Sequence, residues 1–208
     1  RMSSKTGIFS WYGYIQPFET RIRLIKEAGF DYVMIWWEDE YYPNHIERNS
    51  LAKIAKSYEL NLDNIHLPCD DVNLLWSENK KTRLKQTEVF IRWLHECRDI
   101  GADTVVVHDS DGVGIELNYA EGYKSFSEII KAAEEAKLRI AFENTCNYKY
   151  TEFLLNEFKS DYVGLCYDSS HDFIKGQSNG GILRKWKNNL FAVHLSDNDG
   201  TFDHHWIP

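Results

Sequence analysis

Arg139-Ile140-Ala141-Phe142-Glu143-Asn144 is a short apolar run closed by an acid and an amide, and it is entered from a charged helical segment ending at Lys137. A run this short, reached from a helix and left through a polar loop, predicts a buried strand whose last residue emerges at the C-terminal edge of a sheet. Glu143 stands at that edge. The same order, an apolar strand and then a metal-type side chain, recurs at Asn64-Ile65-His66, Val105-Val106-Val107-His108, Leu165-Cys166-Tyr167-Asp168 and Ala192-Val193-His194. Five strands in series therefore end in His, His, Glu, Asp and His.

Outward from this stretch, the pattern predicts strands over 6–10, 32–37, 61–66, 104–108, 139–143, 162–168 and 190–194. Helical spacing predicts helices over 17–27, 46–58, 82–100, 119–137, 151–158 and 181–187, with Gly29 and Gly101 as stops. Alternating buried strands and amphipathic helices imply parallel pairing with right-handed crossovers. Two α/β architectures satisfy this, a doubly wound open sheet and a (β/α)8 TIM barrel. No glycine-rich phosphate loop follows the first strand, which weakens the open-sheet dinucleotide reading. In a barrel every strand's C-terminal end faces one mouth, so the five metal-type ends converge there. The expectation is a single barrel domain over 1–208. A complete barrel takes roughly 250 residues, so the chain is expected to stop at Pro208 without its last strand-helix unit, through truncation or a missing ordered remainder.

Of the 208 residues 43% are hydrophobic and 14% aromatic, a globular composition, and no apolar run approaches a membrane span. The opening Arg1-Met2-Ser3-Ser4-Lys5 has no apolar core for a signal peptide, and Arg1 ahead of Met2 reads as an added residue. Cys69, Cys97, Cys146 and Cys166 are widely spaced with no CxxC, which favours a reduced cytoplasmic setting. The net charge of -8, from 32 acids against 24 bases, opposes polyanions and places nucleic acid low among partners.

Singly, each strand-end residue has a structural use: a histidine there is often hydrogen-bonded support, and an acid caps the next helix. Together, carboxylates and imidazoles from separate strands, with positions left for water or substrate, make the donor set of a catalytic divalent site. Local motifs add to it. Asp168-Ser169-Ser170-His171 is an Asp-x-x-His arrangement at a strand end, His194-Leu195-Ser196-Asp197 leaves the next strand, and Asp203-His204-His205 follows. Asp203 and His205 are taken as functional beside these, against the alternative of solvated loop chemistry. Trp11, Tyr12, Trp36, Trp37 and Trp76 lie at or just past strand ends, where rings can stack on the C–H face of a small polar ring and exclude water. Glu38 is placed to hydrogen-bond hydroxyls. Plugging the mouth, or facing a partner subunit in a homo-oligomer, are the other uses for such rings.

Glu143-Asn144, Asp168-x-x-His171, His194-x-x-Asp197 and Asp203-x-His205, in this order, resemble the xylose isomerase-like TIM-barrel superfamily, which holds sugar (phosphate) isomerases and epimerases and the apurinic-site endonucleases. The resemblance runs from the first strand to Pro208. It implies a divalent metal (Mn, Zn, Co or Mg) held by Glu143, Asp168 and His194, with a fourth ligand, usually a strand-eight glutamate, that this sequence does not contain. His171 then sits beside the substrate, and Glu143 serves as acid/base as well as ligand. The implied chemistry is proton transfer through an enediolate of a small ketose, aldose or related polyol. In the endonuclease branch, histidines of strands three and four join the shared glutamate in one zinc site, and the Asp-x-x-His histidine joins the Asp-x-His pair in another. His66, His108, His171, Asp203 and His205 match those positions. Gly200 stands where ketose 3-epimerases tend to carry an arginine, which weighs against that one sugar branch. A catalytically silent barrel is the third alternative.

Overall fold

The computed structural model describes residues 6–174 and 178–206; the opening Arg1-Met2-Ser3-Ser4-Lys5 and the closing Pro208 lie outside them. Strands β1 (Gly7–Phe9), β2 (Tyr32–Trp36), β3 (Asn61–His66), β4 (Thr104–His108), β5 (Arg139–Glu143), β6 (Val163–Asp168) and β7 (Leu190–His194) form one parallel sheet in sequence order. Between them run α1 (Phe18–Glu27), α2 (Arg48–Ser57), α3 (Lys80–Asp99), α4 (Tyr119–Ala136), α5 (Tyr148–Glu157), α6 (Ser169–Phe173) and α7 (Gly181–Trp186). The sheet is curled. His66 on β3 and His194 on β7 stack with ring centroids 5.6 Å apart, whereas four strand spacings of a flat sheet would separate them by roughly 19 Å. The fold is the wall of a TIM barrel carrying seven strands, with β1 and β7 as its edges among the described residues.

Two apolar layers follow from the strand period of two. Outward-facing Val33, Ile35, Ile65, Val105, Val107, Ile140, Phe142 and Leu165 pack against helix residues such as Ile22, Leu51, Leu94, Phe126 and Leu154. Truncating one of the larger of these, Phe142→Ala for example, should cost about 3–5 kcal/mol. Inside the barrel a second cluster joins Val106, Ala141, Cys166 and Ala192, small side chains that fit the confined interior. Because both faces are covered, Thr104–His108 shows no polar alternation. Two residues beyond each inner-cluster member, on the same face, stand His108, Glu143, Asp168 and His194. The register aligns His108 with Glu143 and Asp168 with His194.

Helix boundaries show where local chemistry prevailed over periodicity. Gly29 and Gly101 take the left-handed conformation, both at φ +88°, just past the ends of α1 and α3. The Asn79 side chain accepts from the Thr82 main-chain N–H, so α3 starts two residues before the stretch 82–100 expected from its apolar face. Likewise α5 starts at Tyr148 rather than 151. The five-residue α6 was not expected, being too short to display a period, and it is capped by Asp168 accepting from His171 N–H.

Candidate functional site

Glu143 ends β5 with 2% of its surface exposed, and four imidazoles converge on its carboxylate. His66 Nε2 and His108 Nε2 lie 3.0 and 3.3 Å from Oε2, while His171 Nδ1 and His194 Nδ1 lie 3.2 and 3.3 Å from Oε1. Burial opposes the charge of Glu143, but the cationic rings of His194 and His108 outweigh it, and the carboxyl is held well below the usual range. Asp168 is also buried. His194 Nδ1 lies 3.7 Å from its Oδ2, and the Asn144 side chain clasps its peptide, accepting from Asp168 N–H at 2.8 Å and donating to its carbonyl at 2.9 Å. Asn144 thus locks the ends of β5 and β6 together.

The partners of each ring fix its protonation. His66 Nδ1 sits 2.8 Å from the carbonyl of Leu67, which can only accept, so Nδ1 carries a proton. Burial is the largest influence on this ring and pushes it below its ordinary value despite Glu143. A neutral His66 presents a bare Nε2 lone pair to a carboxylate oxygen. His171 differs: Nδ1 faces the Asn144 carbonyl at 3.0 Å and Nε2 faces Asp203 Oδ2 at 3.1 Å, so both nitrogens carry protons. Burial disfavours that cation, but the Asp203 and Glu143 contacts outweigh it and push the ring up to about 12. His108 is pushed up to about 10, burial being outweighed by the Glu143 charge and by Cys69. For His194 burial is overcome by Cys166, Glu143 and Asp168, and its ring is held well above the ordinary value.

A divalent ion fits this donor set. Two acceptors facing each other at 3.0 Å, His66 Nε2 and Glu143 Oε2, need a proton or a cation between them, and a histidine whose Nδ1–H is given to a main-chain carbonyl is oriented as a metal ligand. Separations of 3.0–3.3 Å between donors also match the edges generated by metal–ligand bonds of roughly 2.0–2.2 Å. Among the described residues three groupings bring their ligand atoms within 4.8 Å of one another: His66, His108 and Glu143; Glu143, Cys166 and His194; and Glu143, Asp168 and His171. Asp203 extends the site toward solvent. Its Oδ1 accepts from Ser170 Oγ at 2.6 Å, and its Oδ2 meets His171 and, at 2.9 Å, the exposed His205.

The aromatic expectations divide. Trp37 lies behind the sheet instead of at the mouth: it is fully buried and its indole N–H donates to Glu96 of α3 at 3.2 Å. Strand alternation explains this, because Val33, Ile35 and Trp37 share the helix-facing side while Trp36 takes the other and stacks on His66 at 4.8 Å. Trp76 is also buried against α4, where a Cβ at Gly122 would meet its ring at 1.9 Å. Trp11 is 44% exposed, with the Arg21 guanidinium 5.0 Å from its ring, and Glu38 is exposed at the end of β2. Sequence reasoning passed over Cys166 and Cys69. The signal for Cys166 was present, since it lies two residues before Asp168 and therefore on the same face.

A curled parallel α/β wall whose strand ends bring carboxylates and imidazoles to one buried centre defines a TIM barrel with a candidate site at its mouth. The chain belongs to the xylose isomerase-like TIM barrel family, whose model matches residues 22–208. Among curated proteins it is 31% identical over 122 residues to the uncharacterized protein y4fM of Sinorhizobium fredii, a stretch covering 52% of this chain and 39% of that one. It is 24% identical over 225 aligned positions to the uncharacterized protein MJ1311 of Methanocaldococcus jannaschii, covering 98% and 74%. The chain thus matches about two-fifths of the first relative and three-quarters of the second. Among solved structures, a D-tagatose 3-epimerase-like protein superposes with a TM-score of 0.78 at 22% identity, covering 97% of this chain and 79% of that one. Among the described residues no helix is long and apolar enough to cross a membrane.

Proposed function

We propose that this chain, read as one domain, is a divalent-metal-dependent sugar isomerase or epimerase acting on a small ketose, aldose or related polyol. The observation that carries the reading is the buried Glu143 carboxylate ringed by four imidazoles at the strand ends. Family membership and the fold shared with a tagatose 3-epimerase-like protein support it. Glu143, Asp168 and His194 would hold the ion. When bound, it supplies charge that stabilises negative oxygen on the sugar as a C–H proton leaves.

The chain's own groups do the rest. Glu143, kept ionised by its surroundings, is the base that takes the proton. His171, doubly protonated with one N–H given to the Asn144 carbonyl and the other to Asp203, places a fixed positive charge beside Glu143 and the reacting centre. Trp36, beside His66, and Trp11 offer faces for the sugar ring, with Glu38 at the rim. The four free cysteines accord with a cytoplasmic setting.

The test is metal content per chain after purification without added metal, with Glu143→Ala as control. About one ion, lost in the variant, followed by exchange of a sugar C–H proton with solvent deuterium, is the expected result; no metal in the parent protein sinks the reading. A second reading, a zinc-dependent apurinic-site endonuclease-like phosphodiesterase, draws on the His66, His108 and Glu143 grouping and on Asp203 between His171 and His205. The net charge of -8 weighs against it. Two or three zinc ions with cleavage of an abasic duplex would put it first.

A further inference from the structure

Thr151, in the first turn of α5, is completely buried, and its hydroxyl faces two acceptors: Asp109 Oδ2 and, at 3.3 Å, the main-chain carbonyl of Glu143. Asp109 follows His108 directly and is also completely buried. Its other oxygen accepts from Ser110 Oγ at 2.8 Å, and Ser110 shares a 3.0 Å hydrogen bond with the Thr145 hydroxyl. Its main-chain carbonyl accepts the Trp76 indole N–H at 2.7 Å. These groups join the chain leaving β4 to the chain leaving β5, the strands that end in His108 and Glu143.

Apolar packing would hold two loops together without the cost of burying a carboxylate. Packing is non-directional, however, whereas a satisfied hydrogen-bond network fixes the orientation of the peptides it touches. On its other side the same end of β5 is fixed by Asn144, clasped to Asp168. We propose that Thr151, with Asp109, is a positioning residue for the site: its hydroxyl sets the last peptide of β5 so that the Glu143 carboxylate faces the imidazoles. This rests on the reading of Glu143 as the centre of a metal site.

Thr151→Val removes the hydroxyl and keeps shape, while Thr151→Ser keeps the hydroxyl. Two measurements apply to each: the ring-nitrogen NMR resonances of His66, His108 and His171 in metal-free protein, and cobalt(II) titration followed by visible absorption. The valine variant should shift the ring resonances, weaken cobalt binding about 10–100-fold and alter its spectrum; the serine variant should restore all three. Ring resonances and cobalt affinity that stay at parental values in Thr151→Val overturn the proposal. If the parent protein takes no cobalt, the metal reading fails by itself and the ring resonances decide the positioning role. If Thr151→Val does not fold, as judged by circular dichroism, the near-isosteric Asp109→Asn goes through the same two measurements: shifted resonances with weakened cobalt binding support the positioning role, and parental values overturn it.

Discussion

On the β3–β4 side of Glu143, His66 and His108 share one carboxylate; on the β6–β7 side, His171, His194 and His205 sit among Glu143, Asp168 and Asp203. On the first side burial leaves His66 below its ordinary value, a ring with a free lone pair, while Glu143 and Cys69 lift its neighbour His108 to about 10. The acid-rich side pushes His171 and His194 far above theirs, and such rings donate hydrogen bonds. In metal-free protein the same residue type therefore rests neutral or protonated according to the balance of burial and facing anionic groups at each ring.

Glu143→Ala should give the largest effect, because it removes the group both sides share. Metal affinity should fall by more than about 100-fold, with sugar proton exchange abolished, as read by elemental analysis and NMR in deuterated solvent. Retained metal would mean that the two sides are separate sites. Next comes a direct contrast: His194→Ala should lose the ion, whereas His66→Ala should weaken it about 10–100-fold without changing the number bound. The reverse order would shift weight to the phosphodiesterase reading.

Acidity sharpens the comparison further. In metal-free protein His108 holds its proton up to about 10 and His171 up to about 12, against roughly 6.5 when unfolded. Their stabilisation is complete below about pH 6.5 and is lost as pH rises through those folded values. Glu143 acts in the opposite sense, its contribution being present above about pH 4.3 and lost as pH falls. Metal-free protein should therefore melt highest between about pH 4.5 and 6.5. Metal affinity should climb with pH above that window, because each bound proton on a ligand nitrogen must leave. The smallest effect is assigned to Asp203→Asn. Its carboxylate is 24% exposed, so stability should drop by no more than about 1 kcal/mol, while proton exchange slows several-fold, measured by the same NMR assay.

Much of this architecture was legible in the chain. β3, β4, β5 and β7 begin and end where the pattern predicts, and for β4 and β5 the reason is that a strand buried on both faces has no competing signal. Glu143, Asp168, His194, His66 and His108 could be placed at strand ends, and the curl that carries β7 round toward β3 was expected from the convergence of those ends, since βα alternation alone also allows an open sheet. Trp37 was misplaced because neighbouring strand residues face opposite sides, and Trp36-Trp37 offers no clue to which ring turns inward. The bond from Thr151 to Asp109, 42 residues apart, leaves no trace in local pattern at all. Nor do the protonation states, which depend on the burial and the anionic partners that the fold assembles around each ring.

The convergence of four rings on one carboxylate also constrains how this protein can change over generations. A substitution at any one histidine alters the charge balance felt by the other three through Glu143, so double-mutant cycles among them should depart strongly from additivity. Descendants that acquire a new activity are accordingly expected to keep the hub intact and to vary the outlying rim, where Trp11, Glu38 and His205 answer to few neighbours.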